Sequence, residues 1–274
     1  MHPFKETSLF RHLTPQNPTG SASSWLARLD QAVLCAAILG LLFSSGAQAI
    51  SSTEEALAQV SKAPIGLYSS EQRSSTFEAC KHVFPGATPM DLTKVAPEWK
   101  PRGLCSNHFA VLHSGLTRTP LVVVEKLNRQ ILREAQGEDR TDAFYEDPRL
   151  PRDERADIRD YARSGFDRGH LSAAANHPDA HSMAQSFALS NMVPQHPDSN
   201  RKTWNKIEQD TRRYVSRAPG DVYVFSGPLF REGYKTIGRG QVWVPTHLFK
   251  LVVDATSGKS WAYVLPNDGT PISA

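Results

Sequence analysis

The sequence predicts a mixed α+β domain, and three observations support this prediction. Hydrophobic residues make up 39% and charged residues 22% of the 274 positions, a composition typical of globular proteins rather than disordered or fibrous ones. Short β-branched and aromatic runs bounded by Gly, Pro or Asp recur along the chain, as strands do. Segments with helical spacing lie between these runs. No internal repeat or linker interrupts the pattern, so one domain is expected over residues 79–274.

Residues 1–49 are predicted to be a signal peptide with a long leader. An apolar stretch from Ala32 to Phe43 is followed by Ala47-Gln48-Ala49, an A-x-A cleavage pattern. As a helix the stretch would be about 18 Å long, short of the ~30 Å hydrocarbon layer, which disfavours the alternative of a permanent membrane helix. No stable membrane association is therefore expected after cleavage, and the mature chain is expected in the periplasm or outside the cell. An unused upstream start is the alternative for the leader.

The charge and the cysteines of the remaining chain narrow the possibilities further. It has 28 basic and 26 acidic residues, a net charge of about +2, so any affinity for nucleic acid must come from a local patch. Cys80 and Cys105 are an even pair in an oxidising compartment, and we expect them to form a disulfide that contributes roughly 3 kcal/mol. Two free buried thiols are the alternative.

The first half of the domain is predicted from local patterns. Residues 50–78 are rich in Ser, Thr, Glu and Gln and indicate a flexible lead-in, with a first helix over 53–61 as the alternative. The elements expected after it are strands at 109–113 and 121–124, a helix in the first half of the charged segment 125–160, and a helical turn within 154–162.

The middle of the chain has the order strand, strand, helix. The strands are expected at 166–171 and 187–193, and residues 194–197, with two prolines, are expected to end the second one. A helix then begins with Asp198 or Ser199 as N-cap and ends before Pro219-Gly220. Four further strands are expected, at 222–225, 242–244, 248–253 and 261–265.

The run Asp167-Arg168-Gly169-His170 contains the first candidate chemistry. On a strand Arg168 and His170 share a face, and Gly169 permits a close approach that a larger residue would block. A guanidinium beside an imidazole suits phosphodiester cleavage, which requires a base for water and a cation for the charge at phosphorus. The alternative is an ordinary surface turn with Asp167 as a buried cap.

The second candidate element is Asn200, Trp204 and Glu208, spaced i, i+4 and i+8. On a regular helix these residues fall within about 80° of one another. Mg²⁺ takes oxygen ligands and needs only one or two protein groups, so an amide and a carboxylate on one face suit it. The alternative is that Trp204 is a core residue, Asn200 a cap and Glu208 a solvated partner of Arg212.

Together these motifs resemble the non-specific DNA/RNA endonucleases of the ββα-metal superfamily. The resemblance rests on FDRGHL at 166–171, SNMVPQ at 190–195, and Asn200 with Trp204 and Glu208, in this order and with compatible spacing. Looser similarity extends from about Cys80 to Leu265. The resemblance implies a mainly antiparallel sheet with helices and a ββα-metal finger. It also implies hydrolysis of DNA and RNA with little sequence preference, with Mg²⁺ or, in its place, Mn²⁺.

The resemblance also implies roles for individual residues. His170 corresponds to the general base that acts on water, and Asn200 to the direct Mg²⁺ ligand. Glu208 corresponds to the residue that orients the waters of the metal, and Arg168 to the cation that steadies the pentacovalent phosphorus. Arg140 aligns with a second arginine that contacts phosphate.

Substrate binding is expected to depend on phosphates, because no base-reading element is recognisable. Arg201 and Lys202 are candidates for this binding, although a solvated helix face is the alternative for each. Asn191 is a candidate that either orients His170, completes the site or serves as a turn residue. A zinc site at His177 and His181 is disfavoured because Pro178 lies between them and no third ligand is near.

A catalytically inactive protein that only binds nucleic acid or another protein is the alternative function. The expected partners are DNA and RNA substrates, and the sequence leaves the oligomeric state open. The chain stops soon after the last predicted strand, so a truncated C-terminus is a further expectation.

Overall fold

The computed structural model describes residues 65–137, 140 and 142–270. The predicted leader at 1–49, the alternative helix at 53–61 and the last four residues lie outside these ranges. Within them, no helix is both long enough and apolar enough to cross a membrane.

The described chain contains ten strands and four α-helices. The strands are β1 (Pro101–Cys105), β2 (Phe109–Ser114), β3 (Thr119–Leu127), β4 (Asp167–His170), β5 (Met192–Gln195), β6 (Val222–Leu229), β7 (Lys235–Ile237), β8 (Val242–Val244), β9 (His247–Asp254) and β10 (Ser260–Pro266). The helices are α1 (Arg129–Glu134), α2 (Ile158–Tyr161), α3 (Ala180–Ser186) and α4 (Asn205–Val215), with a π-helical turn, Ser199–Trp204, leading into α4. Short 3₁₀ segments occur at Ile65–Leu67, Glu71–Arg73, Glu78–Val83, Pro85–Ala87, Leu92–Lys94, Pro97–Trp99, Arg152–Glu154, Ala174–Asn176 and Leu189–Asn191.

The largest sheet has the order β1-β2-β3-β6-β9-β10, and each neighbouring pair is antiparallel. Burial alternates along β9, so that Leu248, Lys250 and Val252 lie on its inner face. This is the two-residue period expected of a strand with one buried face. The prediction of a mixed, mainly antiparallel α+β fold is confirmed.

A smaller unit of two strands and a helix packs on this sheet. β4 and β5 form an antiparallel pair in which His170 lies opposite Met192, and the π-helical turn and α4 follow. Val193 and Trp204 share a buried hydrophobic cluster with Phe109 of the large sheet. Burial of these apolar groups fixes the unit against the sheet.

Two predictions for this unit are wrong in detail. The predicted strand 187–193 is instead a 3₁₀ turn at Leu189–Asn191 followed by β5, and α3 precedes it. Pro194 does not end the pairing, because it lies within β5 opposite Arg168. β5 pairs only with β4 in its two-stranded sheet, so the missing N–H of Pro194 leaves no strand partner unsatisfied.

The described part of the predicted flexible lead-in packs against the domain. Tyr68 is buried, and its hydroxyl lies 2.7 Å from that of Tyr145. Phe77 is also buried in a cluster with Cys80 and Cys105. The prediction of a flexible lead-in is therefore wrong from Tyr68 onward. The segment is mostly polar in composition, but the rings of Tyr68 and Phe77 are buried and anchor it to the domain. The predicted disulfide between Cys80 and Cys105 is confirmed.

Candidate active site

Strand β4 places Arg168 and His170 on one face, as predicted. The Arg168 guanidinium lies 4.2 Å from the centre of the Phe144 ring, and the His170 ring centre lies 5.7 Å from the same ring. A side chain at Gly169 would collide with Gln195, since a Cβ there would lie 2.1 Å from Gln195 Oε1. Glycine is thus required between the two functional residues to let the strands meet.

The His170 imidazole lies in an aromatic environment. Its ring contacts those of Phe144 and Phe187, the latter edge-on with 5.0 Å between centres. The residue is only 8% exposed, and its buried Nε2 has no hydrogen-bond partner among the described residues. Burial lowers the pKa of His170 to about 3, and the charge of Arg140 contributes in the same direction. The ring is therefore neutral at physiological pH, the state in which it accepts a proton.

Buried neutral histidines should make the fold sensitive to acid. Burial lowers the pKa of His113 to about 4 and that of His170 and His177 to about 3. In the unfolded chain each would take up a proton near pH 6.5, so below this pH the unfolded state binds more protons. Each histidine then favours unfolding by up to ~1.4 kcal/mol per pH unit until its folded-state pKa is reached.

We therefore expect Tm to fall steadily as the pH is lowered from 6.5 to 4, which thermal melts at a series of pH values will measure. His177→Gln should flatten this slope because it removes one of the three groups. His181→Gln, at an exposed position, is the matched control and should leave the slope as it is. A Tm independent of pH across this range would contradict the prediction.

Asp167 connects β4 to the start of the helical segment. Its carboxylate accepts a hydrogen bond from Asn200 Nδ2 at 2.9 Å and two from Arg201, at 2.8 and 2.7 Å. Burial opposes ionisation of Asp167, but Arg201 and Asn200 outweigh it and hold the pKa of the carboxyl below its ordinary value. Since the Asn200 amide nitrogen is engaged, its Oδ1 is left as the acceptor, and Oδ1 has no partner within the described ranges. The alternative in which Asp167 merely caps a turn is not what the structure has.

Several of the predicted residues border one cleft. The cleft has a volume of about 390 Å³. It is lined by Arg140, Phe144, Tyr161, Ala162, Phe166, Asp167, Arg168 and Asn200. His170 adjoins it through the shared contact with Phe144. The structure thus brings Arg140, Arg168 and Asn200 together at one cleft, while His170 contacts its lining at Phe144 without lining it.

The two arginines of the cleft are held differently. Arg140 is exposed, lies 5.2 Å from the centre of the Phe187 ring and pairs with Asp142 at 2.6 Å. Arg168 is half-buried and forms no ion pair with a carboxylate in the described part of the chain. Arg168 therefore keeps its charge available to a ligand.

The predicted substrate-binding residues Arg201 and Lys202 lie outside the cleft. Arg201 is paired with Asp167, and Lys202 Nζ lies 2.6 Å from an oxygen of Asp198. Both side chains are well exposed and neither lines the cleft. For Lys202 this geometry favours the alternative of a solvated helix face.

Asn191 occupies a structural position rather than the expected substrate-binding one. Its side chain is fully buried, accepts a hydrogen bond from Ser172 N and donates to the carbonyls of Ser172 and Ser186. Its own carbonyl accepts from Leu171 N. With all of its groups hydrogen-bonded, Asn191 fixes the backbone just after His170, and it does not line the cleft.

Trp204 and Glu208 connect the helix to the base strand and to the core. Trp204 is buried, and its Nε1 donates to the His170 carbonyl at 3.0 Å. The segment Ser199–Trp204 is a π-helical turn, so the uniform 100° spacing assumed from Asn200 to Glu208 was wrong. Glu208 is half-buried, and its Oε1 is buried without a hydrogen-bond partner in the described structure. Burial raises the pKa of Glu208 to about 7 against the opposing effect of Lys250.

These features fit a cation that needs few protein ligands. Glu208 Oε1 is a buried oxygen without a hydrogen-bond partner among the described residues, and the bond from Asn200 Nδ2 to Asp167 leaves Asn200 Oδ1 as the acceptor of that amide. Oxygen is the donor type that Mg²⁺ prefers. Within the described ranges, no group of three or more His, Cys, Asp or Glu residues is placed to hold a metal ion.

Comparison with known proteins agrees with this geometry. The family described as DNA/RNA non-specific endonuclease matches residues 92–273. The chain belongs to this family. "Endonuclease G, mitochondrial" from Homo sapiens is 40% identical over 173 residues, which cover 58% of this chain and 58% of the relative. "Nuclease EXOG, mitochondrial" from Homo sapiens is 34% identical over 181 residues, covering 60% of this chain and 49% of the relative.

A solved structure supports the ββα-metal fold of this non-specific endonuclease family member. The crystal structure of an EndoG/EndoGI complex, described as the mechanism of EndoG inhibition, matches with a TM-score of 0.54 and 32% identity. The match covers 60% of this chain and 74% of that one. The chain spans less than two thirds of the length of the curated relatives described above.

The expected location is contradicted by these comparisons. The human relatives, and "Endonuclease G, mitochondrial" from Caenorhabditis elegans at 36% identity, are named as mitochondrial nucleases. A periplasmic or secreted location, which the A-x-A pattern at Ala49 suggested, is therefore wrong for this group. The pattern was misleading because a short apolar stretch followed by small residues does not by itself identify the compartment to which a protein is sent.

Some site residues were not predicted from the sequence. The bond from Asp167 to Asn200 spans 33 positions and has no local signal. Phe144 lies in a segment without periodicity. Lys250 offered a signal, since it occupies an inward position between Leu248 and Val252 of a predicted strand, where an apolar residue is expected.

Proposed function

We propose that this protein is a metal-dependent endonuclease that hydrolyses phosphodiester bonds in DNA and RNA with little sequence preference. The observation that supports this function is the arrangement around one cleft, which Arg168 and Asn200 line together with Phe144, the ring that the His170 imidazole contacts. The His170 Nε2 has no hydrogen-bond partner among the described residues. These three groups provide a cation, an oxygen ligand and a base, which are the requirements of phosphodiester hydrolysis.

His170 acts as the general base in this proposal. Its ring is neutral because burial opposes protonation, and its unpartnered Nε2 is the atom that accepts the proton of the attacking water. Phe144 and Phe187 hold the ring, and the bond from Trp204 to the His170 carbonyl fixes the strand. The contacts with these two aromatic rings also hold the proton acceptor in one orientation.

Arg168 stabilises the charge that develops at phosphorus. Its guanidinium is held over the Phe144 ring but is not neutralised by a carboxylate in the described part of the chain. Arg201 differs, because Asp167 already occupies its guanidinium. Arg140, at the edge of the same cleft, contacts a neighbouring phosphate. Contacts of this kind do not distinguish bases or sugars, which accounts for the proposed tolerance of DNA and RNA.

Asn200 and Glu208 would hold Mg²⁺. Asp167 turns the Asn200 amide so that Oδ1 is the free atom, and Glu208 contributes the unpartnered Oε1. When bound, the cation neutralises charge on the leaving oxygen. A site with one amide and one carboxylate suits Mg²⁺ because this ion retains most of its waters.

The purified protein should digest both plasmid DNA and RNA in Mg²⁺ and lose this activity when a chelator is added. A preparation of His170→Ala made in parallel controls for contaminating nucleases. Product lengths that shorten progressively, without a fixed banding pattern, would show low sequence preference. Binding of nucleic acid without metal-dependent digestion would reject the proposal and favour an inactive binding protein.

A further inference from the structure

A cluster of aromatic rings lies at the antiparallel hairpin of β7 and β8. The rings of Tyr234 and Trp243 are stacked, with 3.8 Å between their centres and 20° between their planes. Phe230 and Trp99 lie edge-on to Trp243, at 5.4 and 5.9 Å. Tyr234 is 38% exposed, and among the described residues Val264 is the only other exposed large hydrophobic one. We call the four rings the aromatic patch.

The Tyr234 ring is held in place by the turn before it. The backbone N–H of Tyr234 donates to the Arg231 carbonyl at 3.2 Å, and Gly233 has a φ of 83°, which glycine adopts without strain. One face of the ring lies on Trp243, so its exposed surface is the other face and the edge. A ring that is already fixed loses little conformational freedom when a planar ligand stacks on it. The patch therefore provides a stacking surface.

The segment that contains the stacked pair is also basic. Residues 230–244 include Arg231, Lys235 and Arg239 and only one acidic residue, Glu232, so their net charge is +2. This equals the net charge of the whole chain after residue 49. The three basic side chains are exposed and form no ion pair among the described residues. Aromatic rings beside unpaired cations suit single-stranded nucleic acid, whose bases stack on rings and whose phosphates attract cations.

The hairpin is fixed to a wall of the candidate active-site cleft. Its turn is bound to α2, because the backbone N–H of Gly240 donates to Asp160 Oδ1 at 2.8 Å. Ile237 and Val242 are buried in one hydrophobic cluster with Tyr161, which lines the cleft. The packing that positions the hairpin therefore also forms this wall of the cleft.

We propose that the aromatic patch binds single-stranded nucleic acid, with an unpaired base stacked on Tyr234 and neighbouring phosphates bound by Arg231 and Lys235. The proposal rests on the proposed nuclease function, to which it adds a substrate contact outside the cleft. Bases within a duplex already stack on their neighbours, so this contact favours single strands. Every base has a face that can stack, so the patch does not select a sequence.

Tyr234→Ala tests the stacking contact. Anisotropy of a labelled oligothymidylate, titrated with protein in the presence of a chelator, measures the dissociation constant without cleavage. The variant should bind about tenfold more weakly, as expected for the loss of one stacked ring. Its affinity for a labelled blunt-ended duplex should be nearly unchanged. Tyr234→Phe keeps the ring and should bind as the wild type does, and Val264→Ala, at the other exposed hydrophobic residue, is the matched control.

Lys235→Gln tests the contact with phosphate. On the same oligothymidylate, the slope of log affinity against log salt concentration should become shallower by about 0.7, the value for one phosphate contact on a single strand. Lys259→Gln, at an exposed position on the loop before β10, is the matched control and should keep the wild-type slope.

Turnover gives a second measure of the same contact. In Mg²⁺, Tyr234→Ala should raise KM for single-stranded DNA about tenfold and leave kcat nearly unchanged, because Tyr234 is not among the residues that line the cleft. Tyr234→Leu keeps apolar bulk over Trp243 but has no flat face, so it replaces the alanine variant, with the same expectations, if alanine unfolds the hairpin.

Other results would overturn the proposal. Wild-type affinity of Tyr234→Ala for the single strand does so, as does an equal loss of affinity for the duplex or in Tyr234→Phe. Sedimentation of the wild type as a dimer and of Tyr234→Ala as a monomer, with binding unchanged, would assign the patch to a second copy of the chain. If the wild type digests no nucleic acid, the proposed nuclease function fails, while the titrations in chelator still decide whether the patch binds a single strand.

Discussion

Replacing His170 with alanine should reduce kcat for plasmid cleavage by a factor of ~10²–10⁴, the usual contribution of a general base. KM should change little, because the ring lies beside the cleft rather than among the groups that line it. Initial rates of supercoiled plasmid loss, measured in saturating Mg²⁺, give both constants.

The fold has to be preserved for this result to be interpreted. His170 lies between Phe144 and Phe187, so alanine leaves a small void there. His170→Gln retains most of the volume and should be as inactive, with a Tm closer to that of the wild type. His181→Ala, on an exposed histidine, is the matched control and should keep full activity. Near-normal activity in His170→Ala would remove the general-base assignment.

Replacing Asn200 with alanine should raise the Mg²⁺ concentration needed for half-maximal activity, by ~10–100-fold if it resembles other losses around metal sites. The variant removes Oδ1 and also the amide that Asp167 holds at 2.9 Å. Turnover should fall as well, because the remaining oxygen, on Glu208, holds the ion less firmly. Rates measured over a range of Mg²⁺ concentrations separate the two effects.

Asn205→Ala provides the control for this change, since Asn205 is exposed and lies at the start of α4. It should leave the metal dependence at the wild-type value. The assignment of Asn200 as the ligand would be contradicted if Asn200→Ala kept the wild-type Mg²⁺ requirement. Titration of Mn²⁺ into the purified variant measures affinity directly and does not depend on turnover.

Local patterns were reliable where a run of strand-forming residues is bounded by polar or turn residues. The β-branched and aromatic runs of β2 and β9 were visible in the sequence, and the structure has strands in both places. The face shared by Arg168 and His170 followed from the two-residue period of a strand in the same way. Pro194 misled the prediction, because a proline ends a strand only where its missing N–H would be needed by a partner.

The order of motifs and the residue types of the site could be recognised from the sequence alone, because helices and strands impose short periods on neighbouring residues. What only the tertiary structure decided is how those residues meet. Asp167 orients Asn200, the Trp204 indole bonds the His170 carbonyl, and Lys250 lies beneath that indole. These contacts join residues 33 to 46 positions apart along the chain. The first two form within the ββα unit, where its helical segment packs on β4, and the third forms where the unit packs on the large sheet.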